Sequence, residues 1–165
     1  GRRAVRITKA VLLIVVLAGL AVAGCARQGE DAFLEGMTLF ESGDYDAAIT
    51  CFDEAIRLNP NNTDAYCFRG DAHGEKGDLD EAIADYTQAT RLASTDPYAY
   101  FCRGVADAEK GDLDKAIADY SRAIQLDPND VDTYYCRGLA HWTNGDLDKA
   151  IADYSQTTSG HPHGT

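Results

Sequence analysis

Small and apolar residues return along the chain with a period of 34. Gly36, Gly70, Gly104 and Gly138 form one column at this step, and Ala48, Ala82, Ala116 and Ala150 form another. Phe52, Tyr86, Tyr120 and Tyr154 stand four positions after each alanine, and Gly43-Asp44, Gly77-Asp78, Gly111-Asp112 and Gly145-Asp146 keep the same step. Within one period the spacing is helical. From Tyr100 to Lys110 apolar and small positions recur every three or four residues, which places them on one face of an α-helix. Gly111 supplies the left-handed residue that ends this helix, and Asp112 is expected to accept hydrogen bonds from the first turn of a second one. That second helix carries Ala116, Ile117, Tyr120, Ala123 and Ile124 on one face. Pro128 stops it, and Asn129 helps to turn the chain. Gly104 and Ala116 are small enough for the two helices to approach closely. The pattern predicts an all-α helix-turn-helix unit repeated over 29–62, 63–96, 97–130 and 131–164. Each unit must stack on its neighbours to bury both its faces.

Tyr100, Gly104, Ala116, Tyr120, Ala123 and Pro128 stand where the tetratricopeptide repeat has its aromatic, glycine, alanine, aromatic, alanine and proline, and the chain resembles that family over about four fifths of its length. The resemblance implies a right-handed superhelical α-solenoid of about four repeats. Two columns depart from it. The family's leucine before the glycine is Arg69, Arg103 and Arg137 here, and its tyrosine three after the glycine is Leu39, His73, Asp107 and His141. The fourth unit degenerates at Thr157, Thr158, Ser159 and Gly160.

Ahead of the repeats, Arg2, Arg3, Arg6 and Lys9 precede an apolar run of fifteen residues, Ala10 to Gly24. This is the layout of a signal sequence, and at roughly 22 Å as a helix it falls short of the roughly 30 Å hydrocarbon core. Val22, Ala23, Gly24 and Cys25 resemble the bacterial lipobox. That resemblance implies a signal peptide over 1–24, a lipidated Cys25 and a short tether over 25–28. A conventional cleaved signal and a short anchor helix are the alternatives. Two or three acyl chains hold a protein stably on its membrane. By the sorting rule of many Gram-negative lipoproteins, Ala26 points to the outer membrane facing the periplasm, while a Gram-positive host would place the protein on the outer face of its cytoplasmic membrane.

Charge then excludes one class of partner. The 165 residues hold 27 acids and 15 bases, and without the first 24 residues 11 bases face 27 acids, a net charge of −16. Such a surface repels phosphate backbones, so a nucleic-acid partner is not expected.

The residues that could carry chemistry have structural readings. Arg69, Arg103 and Arg137 would lie on the packed side of the first helix, where an unpaired guanidinium is costly. Asp85, Asp119 and Asp153 follow sixteen residues later, and the first unit lacks both members, which is the pattern of three structural ion pairs within repeats. His73, Asp107 and His141 share a column, but neighbouring repeats are offset by roughly 10 Å, too far for one metal ion with bonds near 2 Å. His161 and His163 are two histidines in a loose tail, able to pick up a metal only adventitiously. Cys102 and Cys136 are too far apart for a disulfide by the same distance argument, whereas Cys51 and Cys67 could meet, with buried thiols as the default. No nucleophile elbow or phosphate-binding loop is present, so no catalytic residue, metal or cofactor is assigned.

The family's first helices line the concave side of the superhelix through positions 2, 5, 9, 12 and 13. A helical wheel at 100° per residue sets these on the arc opposite the packing positions. They are Phe33, Met37 and Phe40; Asp64, Cys67 and Asp71; Tyr98, Phe101 and Val105; and Asp132, Tyr135, Leu139 and Trp142, with Glu30, Glu41, Glu75 and Glu109 at the edges. Such a groove is aromatic, acidic and nearly free of bases. It suits an apolar protein segment with basic flanks, held by a non-catalytic, lipid-anchored scaffold. The resemblance extends to outer-membrane tetratricopeptide lipoproteins that serve envelope biogenesis, pilus assembly, secretion or cell-wall enzyme recruitment. A self-assembling homo-oligomer that pairs through an uncapped last helix is the alternative reading.

Overall fold

The computed structural model describes residue 24 and residues 27–159. The signal segment up to residue 23, Cys25, Ala26, Gly160, His161, Pro162 and His163 lie outside the described residues. The described residues are helical, with no strand among them. They fall into two compact units that divide at Asn62. The first unit holds α1, residues 27–41, and α2, Tyr45–Leu58. The second holds α3 (Thr63–Lys76), α4 (Leu79–Leu92), α5 (Pro97–Glu109), α6 (Leu113–Leu126), α7 (Val131–Thr143) and α8 (Leu147–Ser159). None of the described helices is long and apolar enough to cross a membrane.

Each hairpin turns on one glycine. Gly111 has φ +85°, a conformation in which a side chain would crowd the backbone, and Gly43, Gly77 and Gly145 match it. Asp112 N then donates to Asp107 O at 2.8 Å, closing the turn over the end of α5. The two helices of a hairpin touch where the glycine and aromatic columns meet. A Cβ built on Gly104 would lie 2.8 Å from the Tyr120 ring, with similar clashes at Gly36, Gly70 and Gly138 against Phe52, Tyr86 and Tyr154. Beneath the rings Ala48, Ala82 and Ala116 are fully buried, and Ala150 nearly so. In the second unit every helix packs on the next, and α3, α5 and α7 also touch in sequence.

The caps differ from the sequence expectation at one column. Asp44 accepts from Ala47 N, but the Asp112 side chain makes no cap hydrogen bond and accepts from Lys115 Nζ at 2.7 Å. Asp78 makes no cap bond either and lies 3.4 Å from Lys76 Nζ, so in each case a nearby lysine is the competitor. Where the residue three positions on is Ala47 the carboxylate has only the backbone to serve, and where it is Lys115 or Lys149 it takes the ammonium. Side-chain caps stand instead at the first helices, where Asp96 accepts from Tyr98 N and Asp130 from Asp132 N. Asp127, ahead of Asn129, organises the turn after α6 by accepting from Asn129 N.

Candidate protein-binding face

Three arginine–aspartate pairs fix the helices that carry the face. Arg69 Nε and Nη2 donate to Asp85 at 2.9 and 2.5 Å, Arg103 to Asp119 at 2.6 and 2.7 Å, and Arg137 to Asp153 at 2.9 and 2.6 Å. Bidentate geometry suits the planar guanidinium. Each guanidinium also sits 5.6 Å from the ring three residues earlier, Tyr66, Tyr100 or Tyr134. Hydroxyls of the preceding helix occupy the remaining nitrogen in two cases. Arg103 Nη1 donates to Thr87 and Thr90 of α4, and Arg137 Nη1 to Ser121 of α6. Each of these two arginines therefore locks its own hairpin and ties it to the one before. The sixteen-residue spacing in the sequence indicates only the first of these tasks, although a hydroxyl in the column Thr87, Ser121 and Ser155 is a visible sign of the second.

On the side of α5 and α7 away from these pairs the large side chains are open to solvent. Tyr98 is 47% exposed, Tyr135 53%, Leu139 43% and Trp142 58%. Asp64 on α3, Glu109 on α5 and Asp132 on α7 are exposed as well. Phe101 and Val105 do not share this exposure. Both are half-buried against the cluster of Ala116, Tyr120 and Ala140, with the Phe101 ring 6.0 Å from Tyr120, because α7 packs beside α5 and covers that edge. Cys67 likewise leaves the expected face: it is buried with Ala89 and Ala99. In the first unit Phe33, Met37 and Phe40 are half-buried, with Phe33 5.9 Å from Phe52 and Phe40 5.5 Å from Tyr45.

A cluster that the sequence does not announce sits at Asp71. Tyr86 and Tyr98 donate their phenol hydroxyls to its two carboxylate oxygens, both at 2.8 Å. Burial raises the Asp71 pKa from its ordinary value, partly offset by those two hydroxyls. The Cys102 thiol beside them is pushed up to about 12, by burial first and then by the Asp71 charge. A tyrosine four after the repeat's alanine and an aspartate one after its glycine occur together only in the second unit, Tyr86 with Asp71, and that coincidence is the signal the sequence holds. Burial also raises the pKa of Cys51, Cys67 and Cys136. These three and Cys102 are free thiols, so no Cys51–Cys67 bond is formed. Protonated thiols of this kind are poor nucleophiles. His73 and His141 each lie near the aspartate of their own turn, Asp78 at 3.8 Å and Asp146 at 3.7 Å. Among the described residues no three His, Cys, Asp or Glu side chains are grouped so as to hold a metal ion.

Paired antiparallel helices, stacked on a fixed 34-residue period with an exposed aromatic and acidic face, define an all-α repeat protein of the kind that binds other proteins. A tetratricopeptide repeat model matches residues 33–97, and a TPR repeat model matches residues 106–145. The chain is a tetratricopeptide-repeat protein, a family whose members are generally non-catalytic scaffolds. Among solved structures it is similar to MamA, at 25% identity and TM-score 0.78 over 81% of this chain and 78% of that one. MamA 41-end from Desulfovibrio magneticus RS-1 shares 24% identity and TM-score 0.75, over 79% and 74% of the two chains. The first TPR of Spaghetti (RPAP3), bound to the HSP90 peptide SRMEEVD, shares 24% identity and TM-score 0.65, over 79% and 95%. No curated protein matches the sequence.

Proposed function

We propose that the chain is a lipid-anchored scaffold that captures an extended or helical protein segment on the face of its first helices. The observation that carries this reading is the exposure of Tyr98, Tyr135, Leu139 and Trp142 on α5 and α7. Large apolar side chains left open on a face that packing does not need are the usual mark of an interaction surface. The acids Asp64, Glu109 and Asp132 are exposed on the same first helices, α3, α5 and α7. They fit an apolar segment with basic flanks and disfavour one like SRMEEVD, which carries three acids and one base. The Cys25 box supports an acyl anchor, and Ala26 supports the outer membrane facing the periplasm. The segment bound there would belong to envelope biogenesis, pilus assembly, secretion or cell-wall enzyme recruitment.

The test is in-cell photo-crosslinking at Tyr135 with mass spectrometry of the captured protein. Trp142→Ala with Tyr98→Ala is expected to abolish capture with helicity retained, and Tyr98→Phe, which gives up only the hydroxyl's bond to Asp71, is expected to capture normally. Capture at wild-type level by the double variant sinks the reading. The anchor is tested separately with a clickable fatty acid, which should label the wild type and leave Cys25→Ser unlabelled.

A further inference from the structure

Eleven residues occur twice in this chain: Gly111 to Ser121 and Gly145 to Ser155 are identical. The first occurrence forms a turn and the greater part of α6, the second a turn and the greater part of α8. The same surface meets different surroundings in the two places. Over α6 lies α7, with Cys136 and Ala140 in one cluster with Leu113, Ala116, Ile117 and Tyr120. Arg137 Nη1 completes that contact by donating to Ser121 Oγ at 3.1 Å. Among the described elements α8 packs on α7 alone. Leu147 and Ile151, the counterparts of Leu113 and Ile117, are 56% and 64% exposed. Ser155 holds the pose of Ser121, each hydroxyl donating at 2.7 Å to the carbonyl four residues back, Ile151 or Ile117. The oxygen that in Ser121 accepts from an arginine is therefore set up in the same way in Ser155.

We propose that the outer face of α8 docks a helix of another polypeptide that has the chemistry of α7: small residues at the first, fourth and eighth positions of a stretch and an arginine at the fifth. The chain supplies the template twice. In α7 the stretch is Thr133, Cys136, Arg137 and Ala140, and in α5 it is Ala99, Cys102, Arg103 and Ala106, whose arginine donates to Thr87 and Thr90 of α4. Small residues let the incoming backbone settle between Leu147 and Ile151, and the arginine gives Ser155 a charged donor. A second copy of this chain does not meet the description. Its α5 and α7 are already packed on α4 and α6, with the third arginine nitrogen taken by Thr87 and Thr90 or by Ser121, and α1 offers Asp31, Leu34, Glu35 and Thr38 in those places, a carboxylate where the guanidinium must stand.

The experiment titrates the full chain against a fluorescent peptide of residues 130–143, stapled into a helix on the side opposite Arg137. Saturable binding is expected, with a matching peptide of residues 28–41 failing to bind. Ser155→Ala in the chain, or Arg137→Met in the peptide, should weaken binding roughly tenfold, the scale of a hydrogen bond to a charged group. Ile151→Asp should remove it, and because both chain positions are exposed these variants keep their helicity. The proposal is overturned if neither peptide binds, if both bind equally, or if Ile151→Asp has no effect. Binding that appears only after residues 160–165 are deleted overturns it in favour of the chain's own tail. A concentration-dependent dimer lost in Ile151→Asp overturns it in favour of a second copy.

Discussion

Arg103 makes four hydrogen bonds, two to Asp119 and one each to Thr87 and Thr90, and its guanidinium lies over the Tyr100 ring. Removing it leaves Asp119, 8% exposed, without its counter-charge. Arg103→Leu is therefore expected to cost about 3 to 5 kcal/mol in urea unfolding, the range for breaking a buried pair. Arg103→Leu with Asp119→Leu removes both charges and should recover most of that loss. Recovery stays incomplete, because Thr87, Thr90 and Tyr100 lose their partner in both variants. Additive losses in the double-mutant cycle would contradict the coupling. The sixteen-residue spacing makes the Arg–Asp contacts legible in the sequence, whereas the contacts to threonine depend on how one hairpin packs on the next. Asp71 reads in the sequence only as a groove acid, because its two tyrosine partners come from α4 and α5. Its folded pKa is raised, so the folded state holds the proton more tightly than the unfolded one. Wild-type stability should fall relative to Asp71→Asn as pH rises from the ordinary carboxylate value through the raised one. Parallel stability profiles for the two proteins would show that Asp71 has no raised pKa.

Among the elements, the hairpin uses glycine for two separate reasons, and substitution should tell them apart. Gly111→Ala meets open space but must keep φ +85°, a strain of roughly 1 to 2 kcal/mol. Gly104→Ala has an ordinary helical backbone, but its methyl would lie 2.8 Å from the Tyr120 ring, which is packed among Ala116, Ala140 and Phe101. That ring cannot yield without opening the hairpin, so Gly104→Ala should destabilise by about 1 to 3 kcal/mol and blue-shift or broaden tyrosine signals that Gly111→Ala leaves alone. Equal loss without any change at Tyr120 would contradict the close-approach reading. Both glycine columns and the helix order are legible because each follows from a period that the sequence repeats four times. The exposed face is legible only in part. A helical wheel treats α5 as a lone cylinder, and so it leaves Phe101 and Val105 on the open arc. The neighbouring α7 covers that edge, and only Tyr98, Tyr135, Leu139 and Trp142 remain open on α5 and α7. Cys67 departs from its wheel position for a related reason: Ala89 and Ala99, from the two following helices, close over it.

For the molecule as a whole, the net charge of −12 makes long-range attraction a matter of the partner's basic residues. The exposed aromatics and the exposed acids should then act on different kinetic steps. Aromatic side chains that become desolvated on binding set the dissociation rate, whereas acids at the rim mainly steer the encounter and are screened by salt over about 10 Å at 0.1 M. Glu109 and Asp132 are both exposed, and the structure describes no hydrogen bond from either side chain, so their reversal disturbs no packing. With Glu109→Lys and Asp132→Lys together, association with the crosslinked partner is expected to slow about tenfold at low salt, and the remaining rate should depend less steeply on ionic strength. Trp142→Ala with Tyr98→Ala should behave in the opposite way, raising the dissociation rate and leaving the salt slope of association unchanged. Stopped-flow or surface-capture kinetics over a series of salt concentrations separates the two. An unchanged association rate in the charge-reversal variant would mean that the partner does not approach α5 and α7 through basic residues, and would remove the electrostatic half of the proposed recognition.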